Sequence, residues 1–381
     1  MIQGIVLENI ETHSYLKIDF QYNAAIRKEV MIIGESGSQK SLVFELMRVF
    51  LETVDPQLLP YGVSLDEALA ALIADPRREA RITWRFFLSR TEYAYTLKFN
   101  SKGELLEELL TFSTTSAKGI LLQSGLKPQD RQVSELQRAM KGDSLALDLK
   151  PMDRGRVRSF CEFIQRLVVI NHGHWFQVEG VQSRSRLRLQ EGFVKPGQLP
   201  LIMQYEAIMN GFLQEIAPSS LIVHYSFTHR RQQIYYALTV RQGYRHLTVL
   251  IEQLALIVEA LLSLHDDYVI FYDALDLRVD QFLLQAILEL FTAWNKTQFV
   301  FSVQTPALLK SMRPQNVLFA YADGERFVMR WLHSILKTQA NNNNQVRYER
   351  GNFHPVEVVV RSSVLKSLTE WVELYHTLNG N

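Results

Sequence analysis

The stretch Val30–Phe50, "VMIIGESGSQKSLVFELMRVF", decides the reading of the fold, because three patterns follow one another in it without a gap. The run "EVMIIG" is continuously apolar and stops at Gly34, as a strand buried on both faces would. Next comes "GESGSQKS", close to the phosphate-binding loop G-x-x-x-x-G-K-[ST]. In that loop backbone N–H groups wrap phosphates, the lysine reaches the outer phosphates and the hydroxyl binds Mg²⁺. Leu42, Val43, Leu46, Met47, Val49 and Phe50 then recur at helical spacing, so the sequence predicts an amphipathic helix from Lys40 to about Glu52. The nucleotide-binding set is therefore Gly34, Glu35, Ser36, Gly37, Ser38, Gln39, Lys40 and Ser41. Gln39 stands where the second glycine belongs, at a point where a side chain crowds the approach of phosphate to backbone. The competing reading of the same string is a β-to-α turn that binds nothing.

A phosphate loop of this kind needs a second carboxylate, at the end of another buried strand, to hold Mg²⁺. "YVIFYDALD" supplies it as Asp273, so Ser41 and Asp273 are the candidate Mg²⁺ residues. Asp273 also reads as a helix cap or a plain strand-end carboxylate. The next residue, Ala274, has no proton acceptor where a water-activating glutamate is usual.

Outward from these two segments, "IQGIVLENI" and "YLKIDF" alternate as two strands, and "ARITWRFFLS" with "YAYTLKFN" reads as a hairpin. From about 103 to 200 the pattern turns helical and rich in Arg and Gln, which reads as an insertion. Strands return in "LIVHYSF" and "QIYYALTV". A helix over Leu247 to Leu264, the strand "YVIFYD", a helix over Gln281 to Trp294 and the strand "QFVFSV" follow. Two short strands, "NVLFAY" and "RFVMRW", flank the turn "ADGE". The tail is read as a loop at "NNNN", 341–344, and a helix from Ser363 to about Leu378.

Composition narrows the class. With 47% hydrophobic residues in 381 the chain can bury a full core, and 41 Lys plus Arg against 40 Asp plus Glu leave no global field toward nucleic acid or an anionic membrane. The single Cys161 excludes an internal disulfide and a cysteine-rich zinc site, and reads as a small core residue. No apolar run is long enough to span a bilayer, "LTVLIEQLALIVEALLSL" being broken by Glu252 and Glu259. A cytoplasmic, soluble protein without signal peptide is the expectation. The basic runs "DRGRVRSF", "SRSRLRLQ" and "HRRQQ" near Arg230 raise a nucleic-acid surface as a minor reading beside ordinary solvated faces. His172, His174 and Trp175 in "INHGHWF" give only a weak zinc pattern.

Taken in order, these segments resemble the ABC-type ATPases of the AAA and OLD groups, relatives of the SMC-like repair ATPases. The pieces are "IVLENIETHSYLKIDF", "GESGSQKS", "VRQGYRHLTVLIEQLALIVEALL" in the place of the signature motif, "YVIFYDALDLRVDQFLLQAILELF" for the Walker B and D-loop segment, and "QFVFSVQTPALL" for the switch. The resemblance covers about residues 1–110 and 200–355. It implies an α/β fold of the P-loop NTPase class: an ABC ATPase-like core with an N-terminal antiparallel β-subdomain and an inserted helical lobe. The core would be discontinuous, 1–103 and 201–335, around a lobe at 104–200, with a C-terminal extension at 336–381.

The chain departs from the family in four motifs. Gln39 replaces glycine, Arg241 stands for the signature serine beside Gly243, Ala274 stands for the catalytic glutamate, and Gln304, between Val303 and Thr305, stands for the switch histidine. The implied function is a degenerate ATPase-like protein that holds ATP and Mg²⁺ weakly or structurally, hydrolyses slowly or not at all, and works as a nucleotide-gated homodimer or as a subunit beside an ATPase or effector partner. Phage defence or DNA maintenance is the setting the resemblance implies. In such a dimer Arg241 and Gly243 would face the partner's nucleotide, Arg241 pairing with phosphate oxygens; a solvated arginine at a strand end is the other reading. Two further alternatives stay open: a scaffold that binds no nucleotide, and an active ATPase recruiting Asp276, Glu252 or His246. No second, nuclease-type domain rich in carboxylates is expected.

Overall fold

The computed structural model describes residues 1–34, 39–125, 135–140, 151–178, 191–194, 199–216, 222–230, 233–242, 248–265, 267–277, 281–323 and 326–335. Glu35 to Ser38, Gly243, His246, "NNNN" and the helix expected over Ser363 to Leu378 lie outside these residues.

The chain starts with β1 (Ile2–Ile10) and β2 (His13–Asp19), a small ribbon of β3 (Gln21–Tyr22) and β4 (Ala25–Ile26), then β5 (Glu29–Gly34) and α1 (Leu42–Val54). A short α2 (Leu65–Ala70) precedes four successive strands, β6 (Ala80–Leu88), β7 (Thr91–Phe99), β8 (Leu105–Ser113) and β9 (Lys118–Gly125). Next are α3 (Glu135–Met140), α4 (Pro151–Ile164), β10 (Leu167–Asn171), β11 (His174–Phe176), β12 (Glu191–Phe193) and α5 (Leu199–Ile216). The remainder is β13 (Ile222–Arg230), β14 (Gln233–Gln242), α6 (Thr248–His265), β15 (Val269–Tyr272), α7 (Gln281–Trp294), β16 (Gln298–Val303), β17 (Val317–Asp323), β18 (Arg326–Trp331) and α8 (Leu332–Ile335).

Three sheets organise these elements. A central seven-stranded sheet runs β11-β10-β15-β16-β5-β17-β18, with β10, β15, β16, β5 and β17 mutually parallel. An antiparallel six-stranded sheet runs β2-β1-β6-β7-β8-β9, and a third small sheet runs β12-β14-β13. Both faces of the central sheet are dry. Val30, Ile32, Val169, Phe271 and Val300 share one core with α1 and the antiparallel sheet. Met31, Ile33, Ile170, Tyr272 and Phe301 share another with α6, α7 and Val223 of the small sheet. That explains why these strands read as unbroken apolar runs. Helix α1 is buried nearly all round, and Phe50 meets Trp84, Phe86 and Tyr95 of the antiparallel sheet at 5.3–5.5 Å.

Where a helical lobe is expected at 104–200, the described residues include strands of both large sheets. Strands β8 and β9 extend the antiparallel sheet, and β10 enters the central sheet parallel to β15; only α3, α4 and the start of α5 are helical among the described residues of that span. The physical reason lies in "LLEELLTFS". Leu and Glu favour helix, but alternate residues Glu108, Leu110 and Phe112 are buried, so pairing with β7 overrides propensity. Glu108 is tolerated because it accepts from Tyr95 Oη at 2.8 Å and from the Leu136 N–H at 3.1 Å.

Candidate nucleotide-binding site

Ligands in open α/β sheets sit at the carboxyl ends of the parallel strands, and the sequence-predicted residues gather there. Gly34 ends β5, and Gln39, Lys40 and Ser41 lead into α1. Lys40 Nζ donates to the Gly34 carbonyl at 2.6 Å, closing the ammonium over the strand end from which the loop departs. Ser41 is the N-cap of α1, yet its hydroxyl makes no capping bond to the helix. Gln39 has a φ of 51°, the left-handed conformation that glycine adopts without strain and that costs other residues about 1–2 kcal/mol. This is the reason the standard loop carries glycine there.

Asp273 directly follows β15. One strand, β16, lies between β15 and β5, which places Asp273 about 10 Å from the phosphate-loop strand. Its carboxylate is buried and accepts from Ser302 Oγ at 2.5 Å, while the same hydroxyl accepts from the Ala274 N–H at 2.7 Å. Ser302 of β16 therefore fixes the orientation of Asp273. Ala274 is left-handed as well, with φ 54°.

Asp276, three residues on, accepts at Oδ2 from the backbone N–H groups of Gln304 (2.8 Å) and Thr305 (2.6 Å). It thus clamps the loop leaving β16 to the loop leaving β15. Its Oδ1 is shut from solvent without a hydrogen-bond partner. Gln304 itself is exposed.

Asn171, at the carboxyl end of β10, is a residue the sequence reading passed over. It is buried and donates through Nδ2 to Glu45 Oε2 at 3.1 Å, and Glu45 in turn pairs with Arg48 on α1. Only its place directly after the four-residue apolar run "LVVI" could have flagged it.

The other candidates lie on separate elements. Arg241 lies on β14 of the small sheet, and Glu252 is an exposed residue of α6. Arg156 and Arg158 of the basic run on α4 pair with Asp153 (2.7 Å) and Glu162 (3.0 Å), and Arg156 also lies over Phe112 at 4.0 Å. His172 and His174 are exposed beyond β10, and among the described residues no cluster of three His, Cys, Asp or Glu could hold a metal ion. Cys161 is buried on α4, where desolvation pushes its thiol up to about 12. No helix among the described residues is long and apolar enough to cross a membrane.

Among known proteins, no family model matches the chain and no curated protein matches it. Solved structures do. The chain is similar to an SMC head determined bound to the C-winged helix domain of ScpA, at 11% identity and a TM-score of 0.47, over 88% of this chain and 99% of that one. It is also similar to the SMC head domain from Thermotoga maritima, at 14% identity and a TM-score of 0.37, over 86% and 98%. Both likenesses are distant, and what the site can do is read from its own residues.

Proposed function

We propose that the chain is a nucleotide-binding protein of ABC ATPase-like build, holding the phosphates of ATP at the loop between β5 and α1, with hydrolysis slow or absent. The supporting observation is the pairing of Lys40, closed over Gly34, with an Asp273 fixed by Ser302 two strands away. A Mg²⁺–phosphate site needs only one or two protein oxygens, the rest coming from phosphate and water. The uncapped hydroxyl of Ser41 and the buried carboxylate of Asp273 are hard oxygen donors of that kind. When bound, the metal neutralises phosphate charge. For its part, Lys40 would exchange its Gly34 partner for a phosphate oxygen, and the α1 N-terminus would face the anion.

The chemistry for hydrolysis is thin. Ala274 has no side chain to take a proton from water, and Gln304 is placed through its backbone rather than its amide. Asp276 does not substitute, since one oxygen is spent on two backbone N–H groups and the other is closed to water. Loss of a general base typically slows a reaction by about 10²–10⁴. A nucleotide that binds and stays is a clamp, so the reading extends to a nucleotide-gated dimer or a subunit beside a partner, with phage defence or DNA maintenance as the setting the family resemblance implies.

Titration with ATP and Mg²⁺, following melting temperature and phosphate release together, tests this. Binding to the folded state raises the melting temperature by mass action. The expected result is a rise that Lys40→Ala abolishes, with little phosphate released. No rise at millimolar ATP overturns the proposal in favour of a scaffold that binds no nucleotide, and rapid release overturns the claim of slow hydrolysis.

A further inference from the structure

The side chain of Gln39 has partners outside the loop. Its Oε1 lies 3.2 Å from His13 Nε2 and 3.4 Å from Thr12 Oγ1, so two donors from the β1–β2 turn converge on one oxygen. For His13 this requires the proton on Nε2. The turn is itself pinned from behind. Asn9 Nδ2 donates to the carbonyls of Asp75 (2.9 Å) and Arg78 (3.0 Å), Asn9 Oδ1 accepts from the Asp75 N–H at 2.8 Å, and the Glu11 N–H donates to Leu72 O at 2.6 Å. Asn9 and Glu11 are both left-handed, at φ 58° and 53°, a conformation that persists only when its surroundings over-determine it. His13 is buried at 6% exposure. What holds Gln39 is thus a fixed point, not a mobile loop tip.

We propose that Gln39 is a positioning residue: through His13 and Thr12 it straps the described end of the loop, from Gln39 on, to the β1–β2 turn, and these bonds hold a left-handed backbone that glycine would adopt without strain. The glutamine is therefore a substitute anchor. A loop end already held in place loses less freedom when phosphate binds, so the strap supports affinity. That consequence rests on the nucleotide-binding reading above; the strap itself does not.

A double-mutant cycle tests the two separately. ATP–Mg²⁺ affinity is measured calorimetrically for the unmodified chain, His13→Ala, Gln39→Gly and the double variant. A neutral hydrogen bond of this kind corresponds to a change of about 3- to 10-fold in affinity. His13→Ala should therefore weaken binding by about that factor in the unmodified chain and by less than about twofold once Gln39 is glycine. Equal factors in both backgrounds, or no effect in either, overturn the strap. If none of the four proteins binds ATP, the nucleotide reading fails. The strap is then judged on the nucleotide-free melting temperatures of the same four proteins, where non-additive changes support it and additive ones overturn it. Should His13→Ala not fold, Thr12→Ala takes its place in the same cycle.

Discussion

Glu52 shows how strongly position governs a single side chain. It lies two turns along α1 from Glu45, its side chain fully closed to solvent, with Arg48 Nη1 3.3 Å from one carboxylate oxygen. Desolvation raises its pKa from 4.5 to about 7; Arg48 opposes the rise and Glu45 adds to it. Between those two values the folded protein holds a proton that the unfolded chain does not. Acidification through this window therefore stabilises the fold, and raising the pH through about 7 removes that gain. The full shift corresponds to about 3 kcal/mol. Between pH 5.5 and 8 the melting temperature of Glu52→Gln should rise relative to that of the unmodified chain, a difference that isolates Glu52 from the N-terminal amine and His13, whose lowered pKa values act in the opposite sense.

Between elements, the joint that matters for the site is Gln298. Wholly buried at the start of β16, it accepts from the Ile2 N–H at 2.7 Å and donates to the Ile2 carbonyl at 3.0 Å, so the central sheet grips the first strand of the antiparallel sheet as another strand would. Gln298→Leu fills the same space but leaves two buried backbone groups unpaired, at about 1–3 kcal/mol for each. Urea unfolding should give a midpoint lowered accordingly, with an unchanged slope if the two sheets still melt together. This joint was hidden in the sequence, where "TQFVF" reads only as an apolar strand with a polar start. The strand–loop–helix at Val30–Phe50 and the apolar runs before Asp273 and Gln304 were legible, because each is a local pattern with one dominant period. Strands β8 and β10 were not, since helix-favouring Leu and Glu mask the alternation of the first and a five-residue run such as "LVVIN" carries no period. Likewise, Gln39 and Gln304 could be singled out from sequence, but only the fold shows that Gln39 reaches His13 and that Asp276 is spent on the loop after β16.

At the scale of the whole molecule, α1 is the shared wall between two sheets, so the candidate residues Lys40 and Ser41 lead into a helix that both layers hold. Phe50 is its keystone contact, touching Trp84, Phe86 and Tyr95 on the antiparallel side. Phe50→Ala should cost about 3–5 kcal/mol, as large-to-small changes in a core do. The expected outcome is a lowered melting midpoint together with a red-shifted tryptophan emission as Trp84, fully buried in the native state, becomes hydrated. An unchanged emission at a lowered midpoint would mean that the antiparallel sheet keeps its packing without this ring. A sheet that is dry on both faces also has an addressing problem. In β5 a one-residue slip would trade Val30 and Ile32 for Met31 and Ile33, apolar for apolar, so oil alone cannot tell the strands where to stop. The few polar groups inside this sheet can: Ser302 must meet Asp273 and Gln298 must meet Ile2, and neither bargain survives a shift. Buried polarity, sparse as it is, spells the alignment that sets Tyr272 of β15 level with Met31 of β5 across β16.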